Sequence, residues 1–251
     1  MKEYKVLDKR VTPNPYSRPG TKISKIKGIV IHWIASNNGR AIGVFNHFEG
    51  RKSGKNGYGS AHETIDLNGD VVRMIPKGEI AYGAGSSTYT KRALHYLSSY
   101  PNNCTYHIEC CHIDSEGRMT PETYNTLLHR VVDLCIEFGL KPHLNQDLWL
   151  HQEVVGWKDC HRFFVRNTPL WHDFQKRAGE IYDAKLKGEK YMANLKLEAN
   201  WQWEMLENSI KNLMRQGSLN NATWLEKVKA KSITPDELAW LNTILIADRV
   251  K

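Results

Sequence analysis

Long apolar runs are absent from this chain of 251 residues, and so is an apolar leader. No stretch approaches the roughly 20 consecutive apolar residues of a membrane-spanning helix, which predicts that the chain has no membrane span. The segment Met1–Arg10 is charged throughout and contains no apolar core. We therefore expect no secretory signal and synthesis in the cytoplasm.

Cysteine is scarce and irregularly spaced. The chain has five, an odd number: Cys104, Cys110, Cys111, Cys135 and Cys160. A disulfide framework needs paired cysteines and an oxidising compartment. The pattern therefore predicts free thiols in a chain that is made in a reducing compartment.

Acidic residues are fewer than basic ones, 27 against 35, and the formal net charge is +8. Such a balance favours polyanionic partners, either nucleic acid or an anionic polymer such as those of Gram-positive cell walls. The sequence contains no basic helix, no aromatic RNA-binding strand and no paired-cysteine finger. We therefore predict no nucleic-acid partner.

The chain does contain regular strand patterns. Residues 26–34 and 105–111 are rich in β-branched and apolar side chains and predict buried strands, the second with Glu109 in its middle. Residues 60–75 read as two short strands around an Asn-Gly pair, which is typical of a hairpin. Residues 79–104 are polar and predict a loop.

Helix patterns alternate with these strands. The apolar spacing over residues 39–50 predicts a short helix. A longer helix is predicted to begin after Thr120, which can cap it, and to end at Gly139. Strands that alternate with helices indicate an α/β fold in which helices flank a mixed central sheet.

We predict three regions along the chain: an α/β domain over residues 1–178, a linker over 179–195 and an all-helical module over 196–251. The linker prediction depends on the charged, glycine-containing run Lys185–Lys190. In the last region the pattern predicts a helix through Trp201 and Leu213, a second over 224–231 after a polar break, and a third from Pro235 through Ile244 and Leu245.

Three residues of these segments are candidate metal ligands. His32 ends the strand pattern, and His151 and Cys160 lie nine residues apart across a loop that contains Gly156. Two imidazoles and a thiolate suit zinc, and three protein ligands leave a fourth position for water. A rival cluster, Cys110-Cys111-His112, is disfavoured because adjacent residues of a strand point to opposite faces.

Four separated segments together resemble a known family. Ile29–Trp33, Ser60–His62, Thr105–Glu109 and His151–Cys160 occur in the order and spacing of the zinc-dependent N-acetylmuramoyl-L-alanine amidases. This amidase-2 family includes phage endolysins and is similar to the peptidoglycan recognition proteins. The resemblance covers about residues 20–175. It implies one Zn²⁺, bound by His32, His151 and Cys160.

The resemblance also implies a reaction, the hydrolysis of the amide between N-acetylmuramic acid and L-alanine in peptidoglycan. Glu109 matches a glutamate beside the metal and would move the proton of the attacking water. Lys158 matches a lysine that would stabilise the oxyanion. His62 and Tyr82 are expected at the substrate. For His62, a supporting role beside the metal and a purely structural role are the alternatives.

Three departures from the family pattern stand out. Ala61 lies where some members carry a tyrosine that helps to activate water, which leaves more of the proton transfer to Glu109. Gly83 lies where many relatives have the histidine of Ala-Trp-His-Ala-Gly. The interval from His151 to Cys160 is one residue longer than in common relatives, and Trp157 is the extra residue.

The C-terminal module resembles the wall-binding domains of Gram-positive phage endolysins and is expected to hold a cell-wall polymer. The leading interpretation is a phage endolysin, present in the cytoplasm of the infected host before release onto the wall. A bacterial autolysin and a peptidoglycan receptor without catalysis are the alternatives. The presence of Cys160 argues against the receptor. The sequence leaves the oligomeric state open.

Overall fold

The computed structural model describes residues 4–187, 200–235 and 237–242. The chain divides into two compact units, Lys2–Gly188 and Glu189–Lys251. Some sequence predictions fall outside the described residues: the linker positions 188–195, the side chain of Trp201, and the third-helix positions Ile244 and Leu245.

The first unit is built on one sheet. Among the described residues its strands are β1 (Val6–Asp8), β2 (Gly28–Asn37), β3 (Glu63–Ile65), β4 (Val71–Arg73), β5 (Thr105–His112) and β6 (Leu148–Leu150). Their order across the sheet is β1-β4-β3-β5-β2-β6. Only the pair β3–β4 is antiparallel among these strands. The predicted mixed sheet is confirmed.

Helices of the same unit flank this sheet. They are α1 (Ala41–Gly50), α2 (Lys91–Tyr96), α3 (Pro121–Phe138), α4 (His151–Val155), α5 (Arg162–Val165) and α6 (Thr168–Leu186). Helix α3 has the predicted ends, because Thr120 Oγ1 accepts a hydrogen bond from the Thr123 amide (3.0 Å) and Gly139 adopts a φ of 68°. The hairpin β3–β4 turns through Gly69, whose φ is 84°.

One face of the sheet is covered by α3, against which α6 packs. The ring of Tyr106 on β5 contacts Phe138 of α3, with 5.5 Å between ring centroids. Arg130 of α3 forms an ion pair with Glu63 of β3. Successive residues of a strand point to opposite faces, so His107 and Glu109 of β5 point away from α3.

The other face, which carries His107 and Glu109, is covered by shorter helices. Val30 of β2 packs there in one apolar cluster with Ala93 of α2 and Val154 of α4. Phe45 of α1 packs with Val72 of β4 in a second cluster. Both clusters leave the carboxyl ends of β2 and β5 for polar side chains.

Short elements account for the differences from the predictions. Helix α2 lies within the predicted loop 79–104, and β6 and α4 lie where a loop edge was expected. These elements have only three to six residues, too few for a periodic pattern to stand out. Helix α6 runs past the predicted boundary at 178 to Leu186, because Ile181 and Tyr182 are buried within it.

The second unit is helical, as predicted. It contains α7 (Asn200–Arg215), α8 (Thr223–Lys229) and helical residues 237–242. Trp203, Ile210, Trp224 and Val228 are buried in its own apolar cluster. The rings of Trp224 and Trp240 stack with centroids 5.6 Å apart. These tryptophans therefore belong to the small core of the unit.

None of the helices in the described part of the chain is both long and apolar enough to span a bilayer. All five cysteines are free and buried. Burial of this kind is common for unpaired cysteine, which packs as a small apolar side chain.

Candidate metal centre

Strand register brings the candidate residues to the carboxyl ends of three neighbouring parallel strands. His32 of β2 pairs with Glu109 of β5, so the two side chains lie side by side on one face. On the other side of β2, Ile31 pairs with Leu150 of β6. His151 directly follows Leu150 and therefore lies level with His32.

His32, His151 and Cys160 converge. The two Nδ1 atoms of the histidines are 3.0 Å apart, and Cys160 Sγ lies 3.8 Å from His32 Nδ1. All three ligand atoms lie within 4.8 Å of one another and all three residues are buried. Among the described residues, no other group of three histidine, cysteine or acidic side chains converges in this way.

The geometry fits a tetrahedral ion. Zinc–nitrogen bonds of about 2.0–2.1 Å and a zinc–sulfur bond of about 2.3 Å place two nitrogens about 3.3 Å apart, and nitrogen and sulfur about 3.6 Å apart. His151 Nε2 lies 2.7 Å from the carbonyl oxygen of Ala84 and donates to it. That bond leaves the lone pair of His151 Nδ1 directed at the cluster.

The loop between His151 and Cys160 accommodates its extra residue. Gly156 ends α4 with a φ of 85°, a conformation that favours glycine. Trp157 follows with 61% of its surface exposed. The backbone amide of Gln152 donates a hydrogen bond to the Cys160 carbonyl (2.7 Å), which holds the cysteine beside the first turn of α4. The longer interval thus projects outward without displacing Cys160.

Burial controls the protonation of the candidate ligands. It lowers the pKa of His151 to about 4 and holds the pKa of His32 well below its usual value, with the neighbouring His151 adding to the effect. It raises the pKa of the Cys160 thiol. Both imidazoles are therefore neutral at pH 7, the form that binds metals.

Glu109 is a half-buried residue beside this cluster, with one buried carboxylate oxygen. Its Oε2 has no contact with solvent and no hydrogen-bond partner among the described residues. Burial raises the pKa of Glu109 to about 8, although the positive charge of Lys158 acts in the opposite direction. A carboxylate in this state binds a proton readily near neutral pH, which suits proton transfer.

Lys158 lies two residues before Cys160 in the sequence. Its charge contributes to lowering the pKa values of His32 and His151, which places it electrostatically within reach of the cluster. Its Nζ lies 5.2 Å from the ring centroid of Trp157. A Cβ built on Gly85 would lie 3.4 Å from the same Nζ.

An open cavity of about 540 Å³ adjoins Gly85 and contains one of the two expected substrate residues. Tyr82 lines it together with Tyr58, Tyr100 and Asn102. Its tyrosine side chains can offer a ligand both apolar rings and hydroxyl groups.

His62 has a different position from the one expected for a substrate contact. It is fully buried, and its ring stacks on Tyr106 with centroids 4.2 Å apart. Its Nε2 donates to the Glu79 carbonyl (2.9 Å) and its Nδ1 accepts from the His107 amide (2.9 Å). Both ring nitrogens are therefore used inside the protein, and His62 supports strand β5.

His107 was missed as a site residue by the sequence analysis. Its Nδ1 lies 3.0 Å from Nε2 of His32. The sequence signal was its spacing, since His107 and Glu109 are two residues apart on a strand and so share a face. The ring fills space beside Gly83, where a Cβ would lie 2.3 Å from its Cγ.

Comparison with known proteins places the chain in a family. The family model described as N-acetylmuramoyl-L-alanine amidase, Amidase_2, matches residues 22–163, more than half of the chain. The chain belongs to the Amidase_2 family. The resemblance inferred from the four motifs is confirmed, and the His32–His151–Cys160 cluster of this Amidase_2 protein lies within the matched range.

Curated relatives of this Amidase_2 protein come from Bacillus. A probable N-acetylmuramoyl-L-alanine amidase of Bacillus licheniformis is 30% identical over 181 residues, which cover 72% of this chain and 49% of that protein. The amidase BlyA of Bacillus subtilis (strain 168) is 28% identical over 182 residues, covering 70% of this chain and 46% of that protein. The chain spans about half the length of the curated relatives it matches.

Solved structures share the fold of this Amidase_2 protein. PlyL superposes with a TM-score of 0.54 at 20% identity, covering 69% of this chain and 96% of that one. Staphylococcus aureus hydrolase AmiA, solved in complex with its ligand, gives a TM-score of 0.55 at 16% identity, covering 76% and 90%. At these identities the likeness establishes the arrangement of strands and helices.

Proposed function

We propose that this chain is a zinc-dependent amidase that hydrolyses the bond between N-acetylmuramic acid and L-alanine in peptidoglycan. The observation that carries the proposal is the buried convergence of His32, His151 and Cys160 beside Glu109. Membership of the Amidase_2 family supports the choice of substrate.

The positions of the side chains suggest a separate role for each residue. His32, His151 and Cys160 would hold one Zn²⁺, which lowers the pKa of bound water towards about 7 and polarises a carbonyl. Glu109 accepts a proton from the hydrolytic water and delivers it to the departing alanine nitrogen.

Lys158 and the adjoining cavity complete the proposed site. The ammonium group of Lys158 stabilises the negative charge that develops on the carbonyl oxygen of the scissile amide. The cavity lined by Tyr58, Tyr82 and Tyr100 is the proposed binding place for the muramoyl-peptide, because tyrosine offers an apolar ring to a sugar or peptide and a hydroxyl for hydrogen bonds.

The proposal extends to the second unit and to the setting. We take residues 196–251 as a module that holds a cell-wall polymer and so raises the local concentration of the enzyme at its substrate. The net charge of +8 supports an anionic polymer. We take the protein as a phage endolysin that reaches a Gram-positive wall from the cytoplasm of the infected host, with a bacterial autolysin as the alternative setting.

The activity is tested on purified Gram-positive walls. We expect the suspension to clear and new L-alanine amino ends to appear without new reducing sugar ends. A chelator should abolish both changes, and added zinc should restore them. Clearing with reducing ends alone would indicate a glycosidase, and binding without clearing would indicate a receptor; either result contradicts the proposal.

Variants separate the metal ligands from the catalytic groups. Cys160→Ser should lose bound zinc and activity together, whereas Lys158→Met should keep zinc and lose activity by about 10²-fold. Cys104→Ser is the matched control for the thiol, because Cys104 is buried but contacts Ser98 and Pro101, outside the cluster. Retention of zinc in Cys160→Ser would remove that residue from the proposed ligand set.

A further inference from the structure

A chain of hydrogen bonds runs along one face of β5 towards the cluster. Thr105 Oγ1 lies 2.8 Å from the Pro101 carbonyl oxygen, to which it can only donate. The same hydroxyl lies 2.9 Å from Nε2 of His107. Because its single hydrogen is already used, the hydroxyl accepts here, and the proton of the neutral His107 ring lies on Nε2.

This arrangement determines the protonation of the next ring. His107 carries its proton on Nε2, so its Nδ1 presents a lone pair, 3.0 Å from Nε2 of His32. His32 must donate from Nε2, which leaves its Nδ1 without a proton. That atom is the one that lies 3.0 Å from Nδ1 of His151.

Two imidazole lone pairs thus face each other. His151 Nε2 donates to the Ala84 carbonyl, so neither Nδ1 carries a proton to share with the other. Neutral lone pairs at this distance repel, and a cation bound between them would turn the repulsion into attraction. The hydrogen bonds between Thr105 and His107 and between His107 and His32, here called the relay, therefore leave His32 Nδ1 free to bind a metal ion.

The space for the His107 ring depends on another segment. A Cβ on Gly83 would lie 2.3 Å from both Cγ and Nδ1 of His107, a distance that no side chain tolerates. His107 is fully buried, so water does not compete for its Nδ1. The His107 ring in this position thus requires a glycine at 83.

We propose that His107 is a positioning residue that holds His32 in the Nε2–H tautomer and so presents Nδ1 to the metal. Thr105 fixes the tautomer of His107 in turn. The inference rests on the proposed metal site, since it assigns a role to a residue that touches a ligand of that site.

The direct test is zinc affinity, measured by competition with a chromophoric chelator. His107→Ala should weaken zinc binding about 10–100-fold, the range found for groups that orient a metal-bound histidine. His107→Asn should recover most of that loss, because an amide oxygen can accept from His32 Nε2. His112→Asn is the matched control, since His112 lies on the same strand but contacts Ser36 and Asp114.

The second readout is the ring-nitrogen NMR spectrum of the zinc-free protein. In the wild type His32 should show a protonated Nε2 and a bare Nδ1. In His107→Ala both tautomers should be present. A purely structural His107 would lower stability without this spectroscopic change.

Thr105→Val provides a variant that keeps the His107 ring in place. Without the hydroxyl, the His107 proton is expected to move to Nδ1, which reverses the relay and lowers zinc affinity. The inference would be overturned if His107→Ala and Thr105→Val both bound zinc within twofold of the wild-type affinity and left the His32 tautomer unchanged. A wild-type protein that binds no zinc would contradict the proposed function instead, and the NMR spectrum would still test the relay.

Discussion

Two glutamates lie on adjacent strands of the same sheet and on opposite faces of it, in contrasting surroundings. Glu63 of β3 is fully buried, and both of its oxygens are engaged at 2.8 Å by Arg130, with Tyr106 as a further donor. Glu109 of β5 has a buried Oε2 without a partner among the described residues. The first carboxylate is paired with a buried arginine, whereas burial raises the pKa of the second.

The difference has a functional meaning. A carboxylate with both oxygens hydrogen-bonded inside the protein contributes to the fold through the pairing that it maintains. A carboxylate oxygen that is buried without a hydrogen-bond partner is energetically unfavourable for folding, and such atoms concentrate at reactive sites. The α3 face of the sheet thus serves stability, and we propose that the face with His32 and Glu109 serves the chemistry of the proposed site.

The largest expected effect is on activity, from Glu109→Gln. Loss of the proton-transfer group should reduce amide hydrolysis about 10²–10⁴-fold while zinc stays bound. The free energy of unfolding should remain or rise, because glutamine has no charge to desolvate. The measurements are wall lysis, bound zinc and urea unfolding, with the exposed Glu122→Gln as control. Loss of zinc in Glu109→Gln would instead make Glu109 a support of the metal.

Glu63→Gln should produce the converse result. It leaves Arg130 buried without its counter-ion, which should lower the free energy of unfolding by about 3–5 kcal/mol. Activity per folded molecule should persist, since the side chain lies on the face away from Glu109. The double variant Glu63→Gln/Arg130→Met should recover part of the stability. A selective loss of activity without a loss of stability would contradict the contrast between the two faces.

Acid should destabilise the protein partly through His62. Burial lowers the pKa of His62 to about 4 from an ordinary value of 6.5. The unfolded chain therefore binds a proton between pH 6.5 and pH 4 that the folded chain does not, so stability falls as the pH falls through this window. The full contribution is about 3 kcal/mol.

The measurement is urea unfolding from pH 7.5 to pH 4.5 in the presence of a chelator, so that metal release does not contribute. His62→Gln, which cannot titrate, should show a shallower dependence on pH by roughly one proton. Equal slopes for the two proteins would mean that His62 titrates alike in the folded and unfolded chains.

Much of the first unit could be predicted from local patterns. The ends of α3 follow from Thr120 and Gly139, and the hairpin follows from its Asn-Gly pair. The pairing of His32 with Glu109 could not be predicted, because parallel strands acquire their register through tertiary packing. The short strand β6 was missed for a similar reason, since its three residues become a strand only beside β2.

The role of His107 was harder to predict because it depends on distant residues. Its tautomer follows from Thr105 and Pro101, and its space depends on Gly83, which is 24 positions earlier in the chain. The sequence showed histidine at 107 and glycine at 83 as separate features. The fold brings these two positions into contact. The lack of a side chain at Gly83 then leaves the space that the His107 ring occupies.

The smallest expected effect comes from Thr64→Val. This variant tests whether a buried polar atom without a hydrogen-bond partner is enough to identify a residue of the site. Thr64 pairs with Glu109 across β3 and β5, and its Oγ1 is likewise buried without a partner among the described residues. Valine has nearly the same shape and removes the unpaired hydroxyl, so the free energy of unfolding should rise by about 1 kcal/mol. Activity should stay within about threefold of the wild type, because a hydroxyl of this kind is a poor proton carrier compared with a carboxylate.

Chemical denaturation and wall lysis measure the two effects, with Thr126→Val on α3 as a control for the same exchange on the opposite face. A loss of activity as large as that of Glu109→Gln would show that the Thr64 hydroxyl takes part in the site. The difference between the two faces of the sheet would then depend on Thr64 as well as on the two glutamates.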